Sequence, residues 1–220
     1  MTESAMVIDA RDVALTLGDT AILRGIDLSV AAGESVALLG ASGSGKSSLM
    51  AVLAGLERAS GGSVRVDGLD FNALDEDALA RARRGRIGIV LQAFHLLPTM
   101  TARENVAVPM ELAGAADAWT RAAEELTAVG LGHRLDHYPA QLSGWEQQRV
   151  AIALALGPRP PLVFADEPTG NLDTATGAAI MDLLFARRAA IGATLVVITH
   201  DRHLAERCDR VVTLADGRIV

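Results

Sequence analysis

The sequence is poor in aromatic residues and nearly free of cysteine. Phe, Trp and Tyr together make up 3% of the 220 residues, whereas hydrophobic residues make up 50%, so the predicted core is aliphatic. Cys208 is the single cysteine, which excludes an intrachain disulfide and fits a reducing compartment. We interpret Cys208 as a small core residue rather than as a reactive thiol.

The chain also lacks an excess of positive charge and a long apolar run. Its formal net charge is −7 at pH 7, which argues against a nucleic-acid partner. No apolar run approaches the roughly 18 residues that a membrane-spanning helix needs. The first residues show neither the basic start nor the apolar stretch of a signal peptide. We therefore expect a cytoplasmic, single-domain protein that reaches a membrane only through a partner.

A glycine-rich loop, Gly40-Ala41-Ser42-Gly43-Ser44-Gly45-Lys46-Ser47, stands between a predicted strand at 35–39 and a predicted helix at 48–54. This order of strand, loop and helix is the context that a phosphate-binding loop requires. The glycines let successive backbone N–H groups point at an anion, and the helix N-terminus adds partial positive charge. Lys46 is predicted to reach the β- and γ-phosphates of a nucleotide, and the Ser47 hydroxyl to ligate Mg²⁺.

Polar side chains also follow predicted apolar strands later in the chain. Asp166 and Glu167 end one such strand, and Gln92 and His200 end two others. Ligands of parallel sheets gather beyond the carboxyl ends of the strands. Asp166 is then placed to hold Mg²⁺, and Glu167 to orient or deprotonate an attacking water. We expect Gln92 to meet Mg²⁺ or that water, and His200 either to touch the γ-phosphate side or to be structural.

The order of the predicted elements indicates an α/β protein with two additions. Alternating residues over 7–17 and 21–30 predict antiparallel strands near the start of the chain. From about 94 to 156 the pattern is mostly helical, with predicted breaks at Pro98, Pro109, Gly114 and Pro139. We predict one domain over 1–220, in which a core of about 1–92 and 158–220 is interrupted by a helical insert of about 93–157.

Over nearly its whole length the chain resembles the ATP-binding subunits of ABC transporters. The matching stretches, besides the phosphate loop and Asp166-Glu167, are the Q-loop glutamine Gln92, the signature position Leu142-Ser143-Gly144-Trp145-Glu146-Gln147-Gln148-Arg149, the D-loop Asn171-Leu172-Asp173 and the switch histidine His200. Residues 96–106 and 165–173 look most like the lipoprotein-releasing and macrolide-exporter ATPases. The resemblance implies a RecA-like P-loop core with an N-terminal antiparallel β-subdomain and an inserted α-helical subdomain.

The resemblance also implies an ATPase that uses ATP and Mg²⁺ and works as a head-to-tail dimer, homo or hetero, around two ATP. Each nucleotide would contact the phosphate loop of one subunit and the signature of the other. The implied nucleotide contacts are Gly40, Ala41, Ser42, Gly43, Ser44, Gly45, Lys46, Ser47 and Ser48 in the loop, and Ser143, Gly144, Trp145, Glu146 and Asp173 in the partner. The implied metal ligands are Ser47, Gln92 and Asp166. Catalysis is expected from Glu167 as general base, His200 as γ-phosphate sensor and Gln92.

A membrane permease is the further partner that the resemblance implies. It would dock near the helical insert, at about 92–106, and would hold the subunit on the inner face of the cell membrane. The dimer would close on ATP and reopen after hydrolysis, and so drive a permease of exporter or lipoprotein-release type.

The sequence departs from the family pattern in a few places. Trp145 replaces the second signature glycine, so we keep open an ATP-gated binding subunit with impaired hydrolysis as the alternative function. Leu154 stands where related sequences usually have arginine. Residues 1–44 contain no aromatic side chain or histidine to stack on adenine, so Leu17 or a neighbour is left to make an apolar contact.

Overall fold

The computed structural model of this protein describes residues 6–170 and 174–220. Its strands are β1 (Met6–Leu17), β2 (Thr20–Ala31), β3 (Ser35–Leu39), β4 (Gly61–Val66), β5 (Leu69–Asp70), β6 (Ile87–Leu91), β7 (Leu162–Asp166), β8 (Thr194–Thr199), β9 (Arg210–Ala215) and β10 (Arg218–Ile219). Its helices are α1 (Lys46–Leu53), α2 (Glu76–Arg83), α3 (Ala102–Leu112), α4 (Ala118–Ala128), α5 (Gly144–Leu156), α6 (Thr174–Ile191) and α7 (Arg202–Ala205).

The described residues form two compact units. Of these residues, the first unit comprises 6–83 and 193–220, and the second unit comprises 84–170 and 174–192. The predicted helical insert of about 93–157 contains α3, α4 and α5. Its exact boundaries stay a prediction. The predicted D-loop, Asn171-Leu172-Asp173, lies outside the described residues.

The first unit contains an antiparallel sheet with the strand order β2-β1-β4-β5. β1 and β2 form a hairpin in which Leu17 lies opposite Thr20, and Gly18 makes the turn with a φ of +58°. β4 pairs with β1 through an irregularity in the register. Glycine is required there, because a Cβ on Gly62 would lie 2.2 Å from the carbonyl oxygen of Asp12. This sheet confirms the predicted antiparallel β-subdomain.

The first unit also contains a sheet with the order β10-β9-β3-β8. β3 runs parallel to both β8 and β9, and β10 returns antiparallel to β9. The central residues 36–38 of β3 and 195–198 of β8 are fully buried. Strands that are covered on both faces have nearly continuous apolar sequences. Both strands could therefore be predicted from the sequence.

The second unit contains the parallel strand pair β6 and β7 and a group of helices. β7 is buried throughout residues 162–165, and α5 contributes a large buried face, from Val150 to Leu156 with Leu154 half-exposed. α3 begins at a capping box in which Thr101 and Glu104 bond to each other's backbone N–H groups.

The predicted helix break at Pro109 is wrong. α3 continues through Pro109 to Leu112, and Gly114 follows with a φ of +84°. Proline removes one helical hydrogen bond and crowds the preceding turn. Here Val106 and Met110, both fully buried on either side of the proline, pack the helix into the second unit. Tertiary packing therefore outweighs the local cost.

None of the helices that the structure describes is both long enough and apolar enough to cross a lipid bilayer.

Candidate functional site

The glycine-rich loop joins the end of β3 to the start of α1, as the sequence predicts. Gly45 immediately precedes the helix with a φ of +101°, a left-handed conformation that side chains other than glycine rarely adopt. Gly40 is required for a different reason, because a Cβ there would lie 2.3 Å from the carbonyl oxygen of Leu214 and 2.6 Å from Oγ of Ser44. The loop therefore follows a path that only these glycines permit.

Lys46 folds over this loop. Its Nζ donates hydrogen bonds to the carbonyl oxygens of Gly40 and Ala41, each at 2.8 Å, and the residue is only 7% exposed. These two hydrogen bonds hold the end of the Lys46 side chain beside the loop. The first turn of α1 carries no acidic residue, so the field of the helix N-terminus is not opposed there.

The loop offers polar groups that suit a nucleotide phosphate. Oγ of Ser44 is buried, and no described residue bonds to it, although buried hydroxyl groups are normally hydrogen-bonded. Phosphate oxygens are acceptors, and a serine hydroxyl can donate to one of them. Ser47 and Ser48 lie in the first turn of the same helix. The residues present therefore fit a phosphate chain.

His200 follows β8 in the first unit. The parallel register pairs Leu39 of β3 with Thr199 of β8, so Gly40 and His200 leave the same edge of the sheet. Thr199 Oγ1 accepts the backbone N–H of Asp201, and Asp201 in turn caps α7. The imidazole is exposed. The first unit therefore brings His200 to the edge at which the phosphate loop begins.

The second unit brings Gln92, Asp166 and Glu167 to one edge of its strand pair. Leu91 of β6 is paired with Asp166 of β7, so Gln92 and Glu167 occupy equivalent positions just beyond the strands. Glu167 has a φ of +43°, an uncommon backbone conformation for a glutamate. Its carbonyl oxygen accepts the N–H of Gly170 at 2.9 Å and so closes a turn. Gln92 packs on that turn, because a Cβ on Gly170 would lie 2.7 Å from Nε2 of Gln92.

The signature stretch begins α5 in the second unit. Ser143 is the N-cap, and it forms a capping box with Glu146. The N–H and the hydroxyl of Ser143 donate to Oε2 of Glu146 at 2.9 and 2.8 Å, and Ser143 Oγ accepts the N–H of Glu146 at 3.3 Å. The space beside Gly144 is open, since the nearest atom to a Cβ there would be Cζ of Phe94 at 3.8 Å.

Trp145 lies within the first turn of α5, in ordinary helical backbone. The tryptophan is therefore accommodated in α5 without a left-handed backbone conformation. The half-buried indole lies along its own helix against Arg149, whose guanidinium carbon is 5.0 Å from the ring centroid. This spacing of i and i+4 places both side chains on one face.

Gln148 was named from the sequence within the signature stretch, but no role was predicted for it. Gln148 is fully buried, and its Nε2 donates to the carbonyl oxygen of Pro168 at 2.9 Å. The bond joins the signature helix to the turn that starts at Glu167. The helical pattern predicts an apolar side chain at position 148. A glutamine at such a position indicates a buried hydrogen bond, and this signal was available in the sequence.

Fold and site together define an α/β nucleotide-binding protein of the phosphate-loop class, because a buried parallel strand, a glycine-constrained loop and a buried lysine stand in the required order. A protein-family model described as ABC transporter matches residues 23–170. The chain therefore belongs to the ABC transporter family, as one of its ATP-binding subunits, and it is an ATPase.

Known proteins of the predicted branch are similar to this chain. It is 54% identical to the lipoprotein-releasing system ATP-binding protein LolD of Anaeromyxobacter dehalogenans, over 91% of this chain and 85% of that protein. It is 48% identical to the macrolide export ATP-binding/permease protein MacB of Brucella melitensis, over 98% of this chain but 34% of that protein. A dimeric post-hydrolysis structure of the ATP-binding cassette MJ0796, bound to ADP and Pi, matches with a TM-score of 0.87 at 38% identity and covers 96% of both chains. The predicted family, branch and fold class are confirmed.

Proposed function

We propose that this chain dimerises head to tail around two ATP and drives a membrane permease of exporter or lipoprotein-release type. The observation that carries the proposal is the phosphate loop with its buried Lys46, in a chain that resembles LolD over most of both lengths. The dimeric state of MJ0796 supports the dimer, since that cassette is similar over 96% of both chains.

Nucleotide binding is proposed for residues 40–48 of one subunit and for the signature of the other. Lys46 exchanges the carbonyl oxygens of Gly40 and Ala41 for phosphate oxygens, which are stronger partners for an ammonium. The hydroxyl of Ser44 gains an acceptor that it lacks among the described residues. Because residues 1–44 offer no aromatic ring to adenine, affinity rests mainly on the phosphates.

Hydrolysis is proposed to use Glu167 as general base toward the attacking water, with His200 sensing the γ-phosphate. Ser47, Gln92 and Asp166 are the proposed Mg²⁺ ligands, and their oxygen donors suit that cation. When bound, Mg²⁺ neutralises charge that develops on the phosphates. Asp173 is proposed to couple the two nucleotide sites.

The alternative is an ATP-gated binding subunit with impaired hydrolysis, and Trp145 is the reason for considering it. Helical backbone at Trp145 and the contact of its indole with Arg149 favour the motor instead. A side chain that lies along its own helix leaves the backbone N–H groups of the helix N-terminus accessible.

The proposed permease docks near residues 92–106 and so places the subunit on the inner face of the cell membrane. The relatives support this proposal through their names, since LolD is part of a releasing system and MacB joins an ATP-binding part and a permease. The charge of −7 argues against a nucleic-acid partner.

The test is Mg-ATP hydrolysis by the purified chain beside Glu167→Gln and Trp145→Gly. Trp119→Gly is the matched control, because Trp119 also lies on a helix and stacks on an arginine, Arg103, with 4.1 Å between ring centroid and guanidinium carbon. We expect turnover in the parent, near-complete loss in Glu167→Gln and retained turnover in both tryptophan variants. A silent parent with an active Trp145→Gly would establish the alternative, and full turnover in Glu167→Gln would refute the proposed mechanism.

A further inference from the structure

The carboxylate of Glu146 lies at the N-terminus of the signature helix, where the proposed dimer would present the phosphate of its partner. Glu146 is fixed there by the capping box with Ser143. The N–H and the hydroxyl of Ser143 hold the pKa of the Glu146 carboxyl below its ordinary value of 4.5, and the charge of Arg134 adds to this effect. The side chain is therefore an anion at neutral pH.

An anion at this position opposes the binding of another anion. The helix N-terminus attracts phosphate through its N–H groups and its dipole, but a bare carboxylate in the first turn repels phosphate at close range. The Glu146 side chain is only 16% exposed, so water screens this repulsion incompletely. The signature helix thus needs a cation that offsets Glu146 if the helix is to accept a γ-phosphate.

Arg134 supplies that cation. Its Nε donates to Oε1 of Glu146 at 3.1 Å, on the opposite carboxylate oxygen from the one that Ser143 uses. Its Nη1 lies 3.0 Å from Nε2 of His137. The backbone N–H of Arg134 is bonded to the carbonyl oxygen of Leu131 at 2.9 Å. The guanidinium is therefore held in place before any phosphate arrives.

We propose that Arg134 is a positioning residue of the ATPase site, which neutralises Glu146 and so lets the signature helix of this subunit accept the γ-phosphate held by its partner. The inference rests on the proposed head-to-tail dimer. Arg134 acts through Glu146 and Ser143 rather than by touching the nucleotide. Its contribution to ATP-driven closure is consequently large while Glu146 carries a charge and small when that charge is removed.

A double-mutant cycle tests this charge compensation. Arg134→Ala, Glu146→Gln and the double variant are made in the Glu167→Gln background, where hydrolysis is expected to be blocked. Glu146→Gln keeps an amide oxygen for Ser143 but removes the charge. The ATP concentration that gives half-maximal dimer is measured by light scattering, together with the thermal midpoint of each variant. Arg121→Ala is the control, because Arg121 donates to the carbonyl oxygen of Gly157 at the opposite end of α5, at 2.6 Å.

We expect Arg134→Ala to raise the half-maximal ATP concentration on the order of tenfold when Glu146 is present, and by less than about twofold in the Glu146→Gln background. Arg121→Ala is expected to lower the thermal midpoint without raising that concentration to the same extent. An equal effect of Arg134→Ala in both backgrounds would show a purely structural role and overturn the inference. Absence of any ATP-dependent dimer in the Glu167→Gln background would instead refute the proposed function.

Discussion

Nε2 of Gln148 donates a 2.9 Å hydrogen bond to the carbonyl oxygen of Pro168, and Gln148 is completely buried. Through this bond the signature helix supports the turn whose first residue is Glu167. The backbone of Glu167 has a positive φ of 43°, a conformation that persists only where surrounding structure maintains it. The positions of the signature helix and of the proposed general base are thus linked within one subunit.

Gln148→Leu is expected to lower kcat about tenfold while the KM for ATP changes little. The substitution leaves the buried oxygen of Pro168 without its donor, which costs about 1–3 kcal/mol and frees the turn to move. A displaced general base slows the chemical step without weakening nucleotide binding. Steady-state hydrolysis and nucleotide binding are measured side by side.

The neighbouring Gln147→Leu is the control for Gln148→Leu. Gln147 is half-buried on the same helix, and its Nε2 donates to the carbonyl oxygen of Leu142 at 3.0 Å rather than to the turn. A loss of kcat as large in Gln147→Leu as in Gln148→Leu would show that the bond to Pro168 has no special role.

Gly40→Ala is expected to weaken ATP binding at least about tenfold and to destabilise the fold. The added Cβ would lie 2.3 Å from the carbonyl oxygen of Leu214 and 2.6 Å from Oγ of Ser44, so either the loop or β9 must shift. Overpacking of this kind typically costs about 1–3 kcal/mol. Titration of a fluorescent ATP analogue and urea denaturation measure the two effects.

Gly61→Ala serves as the matched control, because the nearest atom to its new Cβ would be 3.7 Å away, an ordinary contact. We expect its ATP affinity to equal that of the parent. If Gly40→Ala also binds ATP like the parent, the close approach to Leu214 does not shape the loop.

Local sequence patterns were sufficient to predict those parts of the structure that are determined by residues close together in the chain. The loop around Gly45 and Lys46 is specified by glycine spacing, a preceding apolar strand and a following helix, all within about 20 residues. The buried stretches 36–38 of β3, 162–165 of β7 and 195–198 of β8 are continuous apolar runs, and such runs strongly predict buried strands.

The same patterns did not predict hydrogen bonds between residues that are far apart in the sequence. Gln148 contacts Pro168 across 20 positions, and Arg134 contacts Glu146 across 12, so neither bond leaves a periodic signal. Pro109 shows the converse, because a residue that locally breaks helices is retained inside α3 by packing. The backbone conformation of Trp145 was also not predicted, because it is set by the helix α5 that contains this residue.

Acidification is expected to remove a stabilising contribution of Glu34. Burial alone would raise the pKa of its carboxyl, but hydrogen bonds from Arg210 Nε and the Ala31 N–H, at 2.7 and 2.8 Å, outweigh burial and leave the pKa below 4.5. Because the unfolded chain then protonates first, this contribution is complete above about pH 4.5 and is lost as pH falls through the lower pKa of the folded state.

Glu34→Gln should therefore lower the thermal midpoint most above pH 5, and the difference from the parent should shrink toward pH 3. Glu124→Gln, which changes an exposed carboxylate on α4, is the control, and at pH 7 it should lower the thermal midpoint less than Glu34→Gln. A difference between Glu34→Gln and the parent that stays constant from pH 7 to pH 3 would contradict the assigned pKa direction.

The last prediction concerns the ion pair between Arg187 of α6 and Glu125 of α4, whose side chains are 20% and 9% exposed. Arg187→Met should destabilise the second unit by about 3 kcal/mol, because it leaves a buried carboxylate without its cation. Glu125→Leu combined with Arg187→Met should recover most of that loss, since an apolar pair avoids the cost of burying charge. Chemical denaturation measures the free energy of unfolding of both variants.

Arg58→Met is the control, because it breaks an ion pair with Glu76 in which the two side chains are 46% and 75% exposed. It should lower the free energy of unfolding by less than about 1 kcal/mol. Equal costs for Arg58→Met and Arg187→Met would mean that burial does not distinguish the two pairs.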